Sequence, residues 1–268
     1  YIVRFLAIIY VLFYFSWGFN YFRLDYSSLV NMPKEPATYR ELKDLTSKVI
    51  QKTNAIRSNL LEDENGVFLV EENFSVLAKI ADEGFKNYYI GNLHLGGNYG
   101  PAKPVLLSKY MSHTGIMGIY IPFTSEPSIN VDIPYQSLLS TISHEMAHQR
   151  GFAKEDEANF IAYKANINNP DERFQYSGYY LAMNYLMNEV YKESRDDYLL
   201  LYNELSDGVK RDMEFSRNYW ASKEGELRKT TNKINDNYLK FNNQTDGVRS
   251  YNGVVSLLLA EYKEINLD

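Results

Sequence analysis

The chain has 268 residues, of which 45% are hydrophobic and 23% are charged, a composition typical of a globular protein rather than a disordered one. Its formal net charge of -6 gives no electrostatic basis for binding nucleic acid. There is no cysteine, so disulfides, a cysteine nucleophile and cysteine-based metal sites are excluded, and a transition-metal site would need His, Asp and Glu.

The start of the chain is strongly apolar. Between Arg4 and Arg23 there are 18 consecutive uncharged residues, most of them apolar or aromatic. At about 1.5 Å per residue, such a helix is roughly 27 Å long, close to a bilayer core of about 30 Å. The pattern predicts a transmembrane helix over residues 1–23, with Trp17 and Tyr21 in the interfacial region, and a buried core helix is the alternative. Because arginines flank both ends, the charges do not determine the orientation.

Residues 24–268 are predicted to form a single domain, because no repeat or low-complexity tract divides them. A linker with two prolines at 31–37 is followed by a capping box, in which Thr38 and Glu41 indicate the start of a helix. A second, weaker helix is expected around residues 71–88.

The middle of the chain is β-prone and the end is helical. Four glycines and two prolines at 91–104 indicate a loop. Between residues 105 and 131, the runs VLLSKY, GIYIPF and SINV predict a small sheet with hairpin turns. Candidate helices towards the end lie at 179–191, 196–204 and 253–265. The predicted fold class is therefore α+β, mostly helical, with a small β-sheet.

The sequence His-Glu-Met-Ala-His, which begins at His144, is an HExxH pattern. Pro134 is expected to open the helix that carries it, and Gly151 to end that helix in the left-handed conformation. Residues i and i+4 project from one face of a helix, so His144 and His148 can face one metal ion. Glu145 can then act as general base towards a water molecule activated by zinc. The motif predicts one zinc ion per chain.

A catalytic zinc ion needs a third protein ligand, and the next predicted helix offers candidates. Glu155, Asp156 and Glu157 stand at its start, where acidic residues also complement the helix dipole. Glu157 lies about 200° around the axis from Glu155, so only one of the two should face the metal. Glu155 is favoured, Glu157 is the alternative and Asp156 is a third candidate. Asn159, one turn after Glu155, would orient an imidazole by a hydrogen bond.

HExxH followed by a Glu-x-x-Ala-Asn helix resembles the gluzincin zinc peptidases. By this resemblance, His144, His148 and Glu155 are zinc ligands, Glu145 is the general base and Asn159 supports a ligand histidine. The resemblance also implies a zincin-like metallopeptidase domain. Only six residues separate the two motifs, fewer than in most gluzincins, which keeps the second glutamate open as the ligand.

The chain is also similar to a bacterial family of membrane-anchored proteins, described only as a domain of unknown function with a zinc-peptidase motif. The similar segments are FSWGFNYFR, SKYMSHTGIMGIYIPFTSEPSIN, HEMAHQRGFAKEDEANFIAY and NDNYLKFNNQTDGVRSYNGVVSLLLA. This resemblance implies several N-terminal membrane helices, of which residues 1–23 would be the last, with the upstream part missing. It also implies a location at the bacterial cell membrane and an extracytoplasmic catalytic domain.

Together these features predict a membrane-anchored zinc metallopeptidase that hydrolyses peptide or amide bonds of a peptide or protein substrate, for example in the cell envelope. An extended substrate would pair with a strand near the HExxH helix, at residues 118–123 or 128–131. An oxyanion stabiliser is also needed. The candidates are His113, Tyr176, Tyr179 and Tyr180. The alternative function is a non-catalytic binding or sensor domain in which zinc is a structural staple and a fourth protein ligand closes the site.

Overall fold

The computed structural model describes residues 1–32, 37–90, 93–241 and 251–267. Within these ranges the chain is mostly helical. The helices are α1 (Ile2–Ser16), α2 (Tyr26–Leu29), α3 (Tyr39–Arg57), α4 (Phe74–Lys86), α5 (Ser108–Ser112), α6 (Tyr135–Gln149), α7 (Glu155–Ile167), α8 (Glu172–Glu193), α9 (Arg195–Glu204), α10 (Asp207–Ser222), α11 (Glu226–Phe241) and α12 (Tyr251–Leu267). The strands are β1 (Tyr89–Ile90), β2 (Leu93–His94), β3 (Lys103–Pro104), β4 (Gly118–Ile121) and β5 (Glu126–Ile129). The prediction of a mostly helical α+β fold with a small sheet is confirmed.

The expected transmembrane helix over residues 1–23 is not supported. Helix α1 has 15 residues and ends at Ser16, where Trp17 leaves helical geometry and a short 3-10 helix, Gly18–Phe22, begins. No helix in the described part of the chain is long and apolar enough to cross a membrane. Trp17 and Tyr21, which were expected in the interfacial region, are buried with Ala153 of the domain.

Helices α3 and α4 form where predicted, whereas the short helix α2 before them was not predicted. Thr38 accepts a hydrogen bond from the Glu41 N–H, and the Glu41 carboxylate accepts one from the Thr38 N–H, which completes the capping box of α3. Helix α4 is capped by the side chain of Asn73. Of the predicted linker at 31–37, residues 33–36 lie outside the described part of the chain.

The three-stranded sheet has the order β3-β5-β4, with β3 parallel and β4 antiparallel to β5. The GIYIPF run forms β4 and the SINV run overlaps β5, as predicted. The prediction of a strand for VLLSKY is wrong, because this run forms a turn and α5. The Ser108 hydroxyl donates to the Val105 carbonyl and accepts from the Val131 N–H, a donor that a continuing strand would have paired with its backbone. In the predicted loop at 91–104, residues 91 and 92 are not described, and the rest contributes β2 and β3.

The hydrophobic core lies where α6, α7 and α8 pack together, with α3 on the outer side of α8. Leu139 and Ile142 of α6, Phe160 of α7 and Phe174 of α8 are fully buried there. Burial of each such side chain contributes about 1.5–3 kcal/mol. The core therefore holds the HExxH helix rigidly between its neighbours. The other predicted helices are found as parts of α8, α9 and α12.

A buried ion pair crosses this core. The Arg57 Nε lies 2.6 Å from Asp212 Oδ2, and the two side chains are 2% and 0% exposed. Asp212 also accepts hydrogen bonds from the Phe68 N–H and from the Tyr176 hydroxyl. Asp212 is therefore the shared acceptor for three separate parts of the chain.

Replacing Asp212 by Ala is expected to lower the free energy of unfolding by about 3–5 kcal/mol, because Arg57 would lose its buried partner and keep only Glu62, whose side chain is 40% exposed, as a counter-ion. Urea unfolding measures the change. Glu214→Gln is the control on the same helix, since Glu214 pairs with Arg217 on the surface and its loss should cost less than about 1 kcal/mol. Equal losses in the two variants would contradict this assignment.

Candidate metal centre

The HExxH helix ends in a tight turn at the predicted glycine. Gly151 has φ +86°, and its N–H donates to the carbonyl of His148. The Phe152 N–H donates to the carbonyl of Ala147, so the two bonds form a Schellman motif. A side chain at Gly151 would be strained in this conformation. The turn brings the chain back at once, and α7 begins at Glu155 beside the end of α6.

Three donor atoms converge between these two helices. His144 Nε2 and His148 Nε2 are 3.1 Å apart. Glu155 Oε2 lies 3.2 Å from His144 Nε2, and Glu155 Oε1 lies 3.7 Å from His148 Nε2. Donor atoms bound tetrahedrally to one divalent ion at about 2.0–2.1 Å lie roughly 3.3 Å from one another. The three residues therefore form a group that could hold a metal ion.

The protonation states of Glu155 and His144 are also compatible with the binding of a cation. Burial acts to raise the pKa of Glu155, but the two histidines outweigh it and lower this pKa to about 2. Burial acts to lower the pKa of His144, but the hydrogen bond and charge of Glu155, together with Glu145 and Asn159, outweigh it and raise this pKa to about 8. In the metal-free protein a proton on His144 thus lies among the donor atoms, where a metal ion would replace it.

The ring of His148 is oriented by the turn. Its Nδ1 lies 2.6 Å from the carbonyl oxygen of Phe152, to which it donates a hydrogen bond. This bond places the proton of the neutral ring on Nδ1 and leaves the Nε2 lone pair facing His144 and Glu155. Burial lowers the pKa of His148 to about 4, so the ring stays neutral and able to bind a metal at neutral pH.

Asn159 lies one turn after Glu155, as predicted. Its Nδ2 donates to the backbone carbonyl of Glu155. The Asn159 side chain also raises the pKa of His144, which is the effect of an amide oxygen that accepts a hydrogen bond. His144 Nδ1 has no hydrogen-bond partner in the described structure, and the support of an imidazole by Asn159 stays a prediction.

The structure does not bring the alternative ligand, Glu157, to the group. Its Oε1 accepts a hydrogen bond from the backbone N–H of Tyr26, at 2.8 Å. Burial at this position raises the pKa of Glu157 to about 7. Asp156 is also directed elsewhere, because its Oδ1 accepts from the Glu157 N–H at the start of α7. Of the three candidate carboxylates, only Glu155 faces both histidines.

Glu145 is held against strand β4. A Cβ atom at Gly118 would lie 2.6 Å from Glu145 Oε1, so this close approach requires glycine. The backbone N–H of Tyr120 donates to the Glu145 carboxylate, whereas Oε2 has no partner in the described structure. Burial raises the pKa of Glu145 to about 8. The glycine in the GIYIPF run was the only signal in the sequence for this contact.

Strand β4 presents a backbone edge to Glu145. On one side it pairs with β5, and the Met117 carbonyl accepts from the Asn130 N–H on that side. The Tyr120 N–H points the other way, towards Glu145. Within the described residues, β5 pairs on both sides and β4 on one. Of the two predicted substrate-binding stretches, 118–123 therefore contains the edge strand and 128–131 does not.

The tyrosines proposed from sequence as oxyanion stabilisers have other partners. Tyr176 is fully buried and donates to Asp212. Tyr179 packs against Tyr163, and Tyr180 is buried in the core. His113 is exposed at the C-terminal end of α5. An aromatic residue that sequence reasoning missed, Trp17, lies against His148, with ring centroids 5.5 Å apart.

The fold and the site define a mostly helical α+β protein with a candidate metal centre made of an HExxH helix and a following glutamate. A family model described as "Protein of unknown function (DUF3810)" matches residues 1–259, and the chain belongs to this family. No curated protein and no solved structure matches the chain. The matched region includes every residue of the candidate centre.

Proposed function

We propose that this protein is a zinc-dependent metallopeptidase that hydrolyses peptide or amide bonds. The observation that carries the proposal is the convergence of His144, His148 and Glu155 beside a buried Glu145. Two imidazoles and a carboxylate are a donor set that zinc prefers, and three protein ligands are the number found in catalytic zinc sites.

In the proposed mechanism, the zinc ion and Glu145 have separate roles. A bound zinc ion would supply Lewis-acid activation of water and of the substrate carbonyl group. Glu145 takes the proton of the attacking water and later delivers it to the leaving amine. Its carboxylate is held by the Tyr120 N–H, and its free Oε2 is available for this proton. Burial raises its pKa to about 8, which favours delivery of the proton to the leaving amine.

An open coordination position supports catalysis over a structural staple. Among the described residues, no further His, Asp or Glu completes the group of His144, His148 and Glu155. The Glu155 side chain is 30% exposed, so solvent and substrate can reach the group from its side. A staple would require a fourth protein ligand and would have no use for Glu145.

The edge of β4 supports a peptide or protein as the substrate. An extended peptide lying along β4 would pass Glu145, because Gly118 and Tyr120 both contact its carboxylate. Ile119, which is 48% exposed, lies between them and can contact substrate side chains. We infer a peptide or protein as the substrate class.

We further propose that the protein is bound to the bacterial membrane through α1, with its catalytic domain outside the cytoplasm. None of the α1 residues is buried, and most of its large apolar side chains are exposed. Contact with lipid would remove this apolar surface from water.

Replacing both Phe5 and Leu12 by Glu is expected to lower liposome binding by at least about 10-fold, since each buried apolar side chain contributes about 1.5–3 kcal/mol. The two side chains are 63% and 52% exposed. Flotation with phospholipid vesicles measures binding. Leu106→Glu is the control, because Leu106 is 98% exposed outside α1. An equal effect of the control would contradict a specific role for α1.

The test of the proposed activity is hydrolysis of a peptide library by the purified chain with its zinc content measured, compared with the Glu145→Gln variant. Zinc-dependent hydrolysis that this substitution lowers by about 10²–10⁴-fold is the expected result. A wild-type protein that binds zinc in a site closed by protein and hydrolyses no peptide would instead favour the non-catalytic staple.

A further inference from the structure

A segment far away in sequence packs against the turn between the two metal-holding helices. This N-terminal segment, residues 17–26, follows α1 and includes the 3-10 helix. We infer that the N-terminal segment positions His148 and the start of α7, and that Trp17 is a positioning residue of the metal centre. The inference rests on the proposed function, because it concerns the same metal-holding group.

Trp17 restrains the ring of His148 directly. The two ring centroids are 5.5 Å apart with an interplanar angle of 79°, an edge-on contact. Trp17 is 5% exposed and also packs against Tyr120 of β4, with centroids 4.8 Å apart. It therefore fills the space between a metal-holding histidine and the strand that holds Glu145. Without it, the His148 ring would be free to rotate in that direction.

Arg23 supports His148 indirectly, through the backbone of the turn that follows the HExxH helix. Its Nη1 donates to the carbonyl of Gly151, at 2.9 Å, and its guanidinium lies over the Phe152 ring. The carbonyl of Phe152 is the acceptor for His148 Nδ1. The N-terminal segment thus holds both the face of the imidazole and the turn that supplies its hydrogen-bond acceptor.

Two further contacts fix the start of α7 on either side of Glu155. Asp25 forms an ion pair with Lys154, immediately before Glu155. The backbone N–H of Tyr26 donates to Glu157, two residues after it. Because one helix carries the histidines and the next carries the glutamate, the relative position of α6 and α7 determines the spacing of the donor atoms. The N-terminal segment bridges the two helices at this point.

The test measures Co²⁺ and Zn²⁺ affinity by competition with a chromophoric chelator. Trp17→Ala is expected to weaken both affinities about 10- to 100-fold, as loss of a group that orients a metal-binding histidine does. Trp17→Phe, which keeps an aromatic edge, should restore most of the affinity. Phe19→Ala is the matched control, because Phe19 lies two residues after Trp17 in the 3-10 helix, is 56% exposed and contacts Tyr14 and Phe15 of α1.

A second readout needs no metal. Nitrogen-15 NMR of the histidines reports which ring nitrogen carries the proton, and His148→Ala identifies the signal of His148. In the wild type and in Phe19→Ala, His148 should be protonated on Nδ1 alone. In Trp17→Ala it should become a mixture of tautomers, because the hydrogen bond to Phe152 weakens. A merely structural role for Trp17 would lower the thermal unfolding midpoint without changing this signal.

The outcomes separate this inference from the proposed function. Unchanged metal affinity and tautomer in a folded Trp17→Ala protein would overturn the role of Trp17, and the wild-type activity would be unaffected. A wild type that binds neither metal would overturn the proposed function and this inference together. If Trp17→Ala does not fold, Arg23→Ala tests the same histidine through the turn, with the same two expected changes and the same overturning result.

Discussion

Replacing Glu145 by Gln is expected to lower the rate of peptide hydrolysis by about 10²–10⁴-fold, the usual contribution of a general base. Glutamine has nearly the same shape, so it still fits against Gly118. Its amide cannot take a proton from water, however. The residues of the metal-holding group are unchanged, so the zinc content should stay at one ion per chain.

A second variant tests the contact between Gly118 and Glu145 and keeps the Glu145 carboxylate. Gly118→Ala places a Cβ atom 2.6 Å from Glu145 Oε1, so the carboxylate must move. We expect lower hydrolysis with zinc retained. Glu214→Gln, which changes an acid on the exposed face of α10, should leave the rate unchanged. Full hydrolysis by a zinc-loaded Glu145→Gln protein would contradict the assignment of the general base.

Replacing Glu155 by Gln is expected to weaken zinc affinity by about 10²-fold. Structural zinc sites with four ligands bind with about 10–16 kcal/mol, so each ligand contributes roughly 3 kcal/mol, which corresponds to about 10²-fold in affinity. An amide oxygen lacks the negative charge that Glu155 places 3.2 Å from His144 Nε2. Isothermal titration of the metal-free protein with zinc measures the change.

Glu157→Gln is the matched control, two residues along the same helix. The Glu157 carboxylate accepts from the Tyr26 N–H, which a glutamine oxygen can also do. We expect zinc affinity to stay within about threefold of the wild type, because the Glu157 side chain is directed to the Tyr26 N–H and supplies no donor atom to the group. If Glu157→Gln lost zinc and Glu155→Gln kept it, the choice of the third ligand would be reversed.

The elements that sequence reasoning predicted correctly depend on short-range patterns. The capping box at Thr38, the left-handed turn at Gly151 and the HExxH helix each involve residues within five positions of one another. A helix repeats every 3.6 residues, so the facing of His144 and His148 follows from their spacing alone. The same short-range logic failed at VLLSKY, where a serine side chain took the hydrogen bonds that a strand would have made with its backbone.

The sequence by itself determined the two histidines, the neighbouring glutamate and the glycine that ends their helix. Only the tertiary structure decided between Glu155 and Glu157, since that choice depends on a hydrogen bond to Tyr26, 131 residues away. It also decided that Trp17 packs on His148 and that Gly118 holds Glu145. Helical periodicity specifies the direction of a side chain relative to its own helix, whereas the position of one helix against another depends on contacts between distant parts of the chain.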